Sequence, residues 1–176
     1  MEAALQQLFC ILLACFALVA PAQGREVPLG WVPYVNERFG FSFHYPAGVF
    51  EPELRTETGD GEVFAGVRDH GRLLVCAFEN ADGYTVASYM NYIRKESYSG
   101  FHVDYASRGQ TWFVLSGENE QNVFYEKVMF SCRGRIISSF ALIYPIVSKA
   151  MFDPIVEVIE KTFRPGQNCG PYATRP

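Results

Sequence analysis

The chain has no run of basic residues. Its 15 Lys and Arg are scattered against 19 Asp and Glu, for a formal net charge of −4. That removes the electrostatic footprint of a nucleic-acid-binding domain. No Asn sits in an Asn-x-Ser/Thr sequon, which is compatible with a bacterial envelope protein. The three His fall in separate segments with no His-x-x-x-His or Cys-x-x-Cys spacing, so no zinc signature exists. No Gly-x-Ser-x-Gly elbow and no phosphate-binding loop occur. Low-complexity tracts and internal repeats are missing too. Leu and Ile together are outnumbered by 15 Phe and 10 Tyr, a composition that suits strands more than helical bundles.

What is present begins with an almost unbroken apolar run from Leu8 to Ala22, ending in the small-x-small sequence Ala20-Pro21-Ala22. The run is shorter than the roughly 20 residues of a membrane span and has the length of a cleavable export signal. The stretch before it, Met1 to Gln7, has no Lys or Arg. The alternative is lipid anchoring through Cys15, since Leu12-Leu13-Ala14-Cys15 is a passable lipobox, but cutting there would leave Phe16-Ala17-Leu18-Val19 exposed. The expected organisation is a signal over 1–22, a flexible polar leader over 23–30, one domain over 31–170 and a tail over 171–176. Localisation is then periplasmic or secreted, without a stable membrane span after cleavage. About 150 residues remain, enough to bury roughly two-thirds of the unfolded surface.

Removing the signal leaves Cys76, Cys132 and Cys169. An odd count allows one internal bridge and one spare thiol. Cys76 lies in the apolar run Leu73 to Phe78, which reads as a central buried strand. Cys132 sits at a strand end beside Arg133-Gly134, and Cys169 follows the last helix. The expected bridge is therefore Cys132–Cys169. It closes a loop of roughly 40 residues and contributes about 3–4 kcal/mol in the chain-entropy account.

Phe39 to Tyr45 alternates aromatic with small or polar residues, a period-two strand with Phe41, Phe43 and Tyr45 on one face, stopped by Pro46. Val49 to Leu54 reads as an edge strand. Glu62–Val67 and Leu73–Glu79 read as a hairpin. Val86, Tyr89, Met90 and Ile93 recur at helical spacing after a Thr85 cap, with Ser99-Gly100 as the stop. Four strands follow as a meander: 102–107, 112–116, 122–131 and 135–144. Phe152, Ile155, Val156, Ile159 and Phe163 mark a second helix, with Asp153-Pro154 as its start. A start at Ser148 would require a bend around Pro154. The fold class is α+β: a central antiparallel sheet of five to seven strands flanked by two principal helices.

Phe39-Gly40-Phe41-Ser42-Phe43-His44-Tyr45-Pro46 resembles the opening segment of a family of small exported alphaproteobacterial proteins without an assigned reaction. Gly59-Asp60-Gly61-Glu62-Val63-Phe64, Ser131-Cys132, Tyr144-Pro145, Phe152-Asp153-Pro154-Ile155-Val156 and Thr162-Phe163-Arg164-Pro165-Gly166 with Cys169 fit the same group. More distantly the chain resembles the PsbP/Mog-type α/β/α sandwich. The resemblance implies that sheet-and-helix fold and a binding role, since members of the wider fold are mostly binding proteins. It transfers no catalytic residue.

Candidate chemistry is sparse. Cys76 with His44, His70 or His102 as base would be a nucleophilic pair, but flanking apolar residues mark Cys76 as core. Gly59-Asp60-Gly61-Glu62 reads as a turn, and Glu118 with Glu120 as a solvated hairpin tip. Aromatic surplus is left. Tyr84, Ser88 and Tyr92 form a second stripe on the first helix, and Tyr98, Phe101 and Tyr105 follow. These rings either pack at the sheet edge or form an interaction surface made of Tyr84, Tyr92, Tyr98, Phe101 and Tyr105. The expected function is a non-enzymatic binding module contacting another envelope or periplasmic protein, with no cofactor, metal or nucleic acid. The alternatives are a small-ligand or lipid carrier with an apolar pocket between helix and sheet, and a hydrolase of unrecognised type.

Overall fold

The computed structural model describes residues 30–68 and 71–170. The expected signal and Cys15 anchor, the leader before Gly30, His70 and the tail after Gly170 lie outside the described residues.

Strands β1 (Trp31–Val35) and β2 (Ser42–Pro46) form an antiparallel hairpin of their own. The remaining strands are β3 (Phe50–Arg55), β4 (Gly61–Gly66), β5 (Arg72–Glu79), β6 (His102–Arg108), β7 (Trp112–Glu118), β8 (Asn122–Ser131) and β9 (Ile136–Pro145). They make one seven-stranded antiparallel sheet in the order β3-β4-β5-β9-β8-β7-β6. The meander β6 to β9 follows from short turns between alternating strands. The joining of β9 to β5 fuses the meander to the earlier hairpins, with Leu73 opposite Leu142 and Val75 opposite Phe140.

Helix α1 (Val86–Glu96) begins where expected. The Thr85 hydroxyl accepts from the Ser88 N–H at 3.1 Å, and the Ser88 hydroxyl accepts from the Thr85 N–H at 2.9 Å, a reciprocal cap. It ends before the expected Ser99-Gly100 stop. Helix α2 (Lys149–Thr162) takes the early start and carries Pro154 inside it. The missing Pro N–H leaves the Ala150 carbonyl without its helical donor. Starting there lets the helix place Phe152, which is fully buried against Phe50 and Tyr144. Burial of such a ring contributes about 2–3 kcal/mol.

Pairing across the strands divides the side chains between two clusters. One holds Phe64, Leu73, Val75, Phe140 and Leu142 with Phe41 and Phe43 of the hairpin region and Phe152, Ile155 and Ile159 of α2. The other holds Phe113, Leu115, Phe124, Val128 and Ile137 with Tyr89 and Ile93 of α1. The expected antiparallel sheet and two helices are present, but strands make most of the fold. The cover is also uneven: α2 shares its cluster with the hairpin, and α1 packs mainly on β6 and β7 and reaches β5 and β8 through Tyr89, which contacts Phe78 and Phe130.

The Cys132–Cys169 disulfide is formed, with 5.6 Å between Cα atoms, and Cys76 is the free thiol among the described residues. The bridge anchors a C-terminal segment that is already paired to the body. Arg164 exchanges backbone hydrogen bonds with Ser42 at 2.8 and 3.1 Å, and Asn168 N–H donates to the Phe39 carbonyl at 3.0 Å.

Candidate functional site: a half-covered sheet face

Strand β5 was expected to be buried on both sides. It alternates instead. Leu73, Val75 and Ala77 are buried, whereas Leu74 is 37% exposed. On that side α1 meets β5 at Phe78, which packs on Tyr89, whereas Leu74, four residues back on the same face, stays partly open. A cross-strand row on that side reads Leu54, Val63, Leu74, Ala141, Glu126 and Leu115. Directly opposed residues share a face, so this row runs from open surface to the foot of α1. At the open end Leu54 is 62% exposed.

Where the bare strip meets the end of α1 there is a cavity of about 340 Å³. Its walls include Val63, Leu74, Ala141 and Ile143, and its polar groups include Cys76, Tyr98, Glu126 and Ser139. Glu126 is buried. Burial pushes its carboxyl up to about 7, and a hydrogen bond from Tyr98 holds it partly back. Tyr98 is fixed by stacking on Phe124 with ring centroids 3.7 Å apart. Cys76 Sγ lies 3.3 Å from Ser139 Oγ. Burial raises the thiol, the Ser139 hydrogen bond lowers it, and the charges of Glu126 and Asp60 raise it further. A thiol held that way is a poor nucleophile at neutral pH. The lining contains no His, so the sequence pairing of Cys76 with a histidine base is not assembled here. His44 lies on β2 with its N–H donating to Thr162 Oγ1, and His102 is beside Asp104 at 3.3 Å.

The aromatic candidates do not form one surface. Tyr92 is exposed and Tyr84 half-buried, with ring centroids 5.7 Å apart, and Tyr92 stacks on buried Tyr89. Tyr98 is buried and Phe101 packs against it and Phe124 at 5.8 and 5.1 Å. Tyr105 is exposed but pairs with Ser116, which pairs with Tyr125, so it lies on the α2 side of the sheet. Only Tyr84 and Tyr92 remain together as an accessible pair. At the expected solvated tip, Glu118 is 3.9 Å from Lys149. No cluster of three or more potential metal ligands occurs among the described residues.

Sequence reasoning missed Glu126 and Ser139. The signal for Glu126 was there. Phe124, Val128 and Phe130 mark the inward phase of β8, and Glu126 falls on that same phase. An acid on the apolar phase of a central strand is informative because it must be paired or neutralised.

No protein-family profile matches the sequence, and no curated protein matches it. Solved structures do match in fold. Cyanobacterial PsbP (CyanoP) from Synechocystis superposes with a TM-score of 0.57 at 15% identity, over 84% of this chain and 98% of that one. The Ran-binding protein Mog1p of Saccharomyces cerevisiae gives 0.56 at 12% identity, over 76% and 94%. A protein from Bacteroides thetaiotaomicron gives 0.51 at 13% identity, over 81% of this chain and 51% of its own. The fold is PsbP/Mog-like.

Proposed function

We propose that this chain is an exported, non-catalytic binding module that contacts a protein partner through the bare half of the sheet beside α1. The observation that carries the reading is the row Leu54, Val63, Leu74 and Ala141. On the opposite side of the same strands Phe64, Leu73 and Phe140 are fully buried, while here Leu54 and Leu74 stand in solvent. A patch of exposed apolar residues rimmed by polar ones marks an interaction site. Tyr92 of α1 and Tyr84, just ahead of the helix cap, are accessible rings 5.7 Å apart at that helix and offer a second contact. That one neighbour in fold is a Ran-binding protein supports a binding role by analogy alone. Export is supported by the apolar run over Leu8 to Ala22 and by a disulfide, which persists in oxidising compartments. No helix among the described residues is long and apolar enough to cross a membrane.

The test is capture of envelope proteins by the tagged mature chain against the Leu54→Ser/Leu74→Ser double variant. Partners retained by the wild type and lost by the folded variant support the reading. Identical capture by both places the contact elsewhere. N-terminal sequencing of the mature protein tests export, and a start at Met1 removes it.

A second reading has its own observation. A cavity of about 340 Å³ with mostly aliphatic walls is within the size range of small-ligand sites, which suits a carrier. Co-purification of a small molecule from the native host, and its loss when Ala141→Leu fills the cavity, would favour the carrier.

A further inference from the structure

Two carboxylates are buried among the described residues, and they are treated differently. Glu62 is 3.1 Å from the Arg55 guanidinium. Glu126, only 6% exposed, has the Tyr98 hydroxyl and no basic side chain: none of the residues lining its cavity is Lys, Arg or His. The neighbouring Lys127 is committed to the other face, where its ammonium pairs with Glu160 at 3.0 Å. Leaving an acid without a counter-ion in an apolar pocket is costly, and a cation brought in from outside would remove that cost. The cavity is open to the bare strip, so such a cation can arrive with a docking chain.

We infer that the cavity receives a basic side chain, lysine or arginine, of the protein partner, with its aliphatic stem against Val63, Leu74, Ala141 and Ile143 and its charged head on Glu126. Three features fit that occupant. The aliphatic walls match a methylene stem, as long basic side chains lay their stems along apolar surface. The floor carries the one buried acid among the described residues that has no basic side chain beside it. Ser139 and Tyr98 supply oxygen atoms beside it that accept the remaining ammonium or guanidinium hydrogens. The inference rests on the docking face proposed above and names what the partner must present to it.

The experiment uses the mature, disulfide-bonded chain labelled with ¹⁵N, followed by NMR at pH 8. The probes are Nα-acetyl-lysine methylamide, its arginine counterpart, the uncharged norleucine counterpart and n-hexylamine. Saturable shifts of the Cys76, Ser139 and Ala141 amides are expected with the lysine or arginine probe. Glu126→Gln is expected to weaken that binding about tenfold or more, as is replacing the probe by norleucine. Ala141→Leu, which keeps the acid and fills the space, should abolish it. Equal binding of norleucine, equal binding by folded Glu126→Gln, or no shifts with either basic probe overturns the inference. So does n-hexylamine binding more than about tenfold tighter than both amino-acid probes, because the ligand is then a free amine. If the basic probes fail while Leu54→Ser/Leu74→Ser still abolishes partner capture, the docking face stands and only this inference falls. If the probes bind and capture ignores those substitutions, the face falls and the cation site stands.

Discussion

The two sides of β5 and β9 share the same backbone and differ in every other respect. Toward α2 and the β1–β2 hairpin, Leu73, Phe140 and Leu142 are sealed, and the charged groups Glu62 and Lys127 have partners. Toward α1, Leu74 is half open, Cys76 is a free thiol, and Glu126 is buried without a cation. One side is organised for stability. The other keeps apolar area and an unanswered charge, which are costs that folding alone does not explain.

That contrast can be broken most forcefully from the sealed side. Phe140→Ala removes a fully buried ring touching Phe163 and Tyr125, and the expected loss is about 3–5 kcal/mol in urea unfolding. A loss below about 1 kcal/mol would mean that side is not the stabilising core. Next comes the tail. Cys132→Ser with Cys169→Ser opens a loop spanning 37 residues in sequence and should cost about 3–4 kcal/mol by the same measurement. An unchanged midpoint would show that the backbone pairing of Arg164 and Asn168 holds the segment unaided.

Glu126 sharpens the comparison through pH. Its carboxyl sits near 7 in the folded chain against an ordinary 4.5. Between those values the folded protein holds a proton that the unfolded chain has released. The Glu126 contribution to stability is therefore fully present below about 4.5, is lost as pH rises to about 7, and stays lost above, by about 3 kcal/mol in all. The groups facing it, Tyr89 and Tyr98 from the α1 side and Cys76 from β5, are themselves pushed upward by burial and stay neutral over that range. Unfolding free energies between pH 4.5 and 8 should show the fall in the wild type and a flatter profile in Glu126→Gln. Superimposable profiles would remove the unpaired charge from the account. The smallest effect belongs to the open strip: Leu74→Ser should change stability by less than about 0.5 kcal/mol, although Leu73→Ala one residue away should cost about 2–5 kcal/mol. Equal losses at 73 and 74 would erase the distinction between the faces.

Local chemistry made much of the fold legible. Thr85 as a cap, the alternation in Phe39 to Tyr45, the turn at Arg133-Gly134 and the pairing of the two element-edge cysteines all depend on neighbours within a few residues, or on a count of three thiols. The early start of α2 was less accessible, because burial of Phe152 overrides the proline penalty only once Phe50 and Tyr144 are in place. The aromatic surface was overdrawn for a similar reason. Tyr98 and Tyr105 are neighbours in sequence, but the chain enters β6 between them and delivers them to different sides of the sheet.

The sequence by itself determined most of the strands, the two helices, the sulfur bridge and an apolar N-terminal run, since propensity, period and spacing are carried by adjacent residues, whereas Trp31–Val35 read only as a short apolar stretch and became a strand by pairing with Ser42–Pro46. Only the tertiary structure decided which side of the sheet would be left open. A strand's alternation says that its residues point two ways, but not what covers each way. That depended on α1 settling over β6 and β7 and on β9 pairing with β5, contacts between segments far apart in the chain. They set Glu126 on the floor of a cavity.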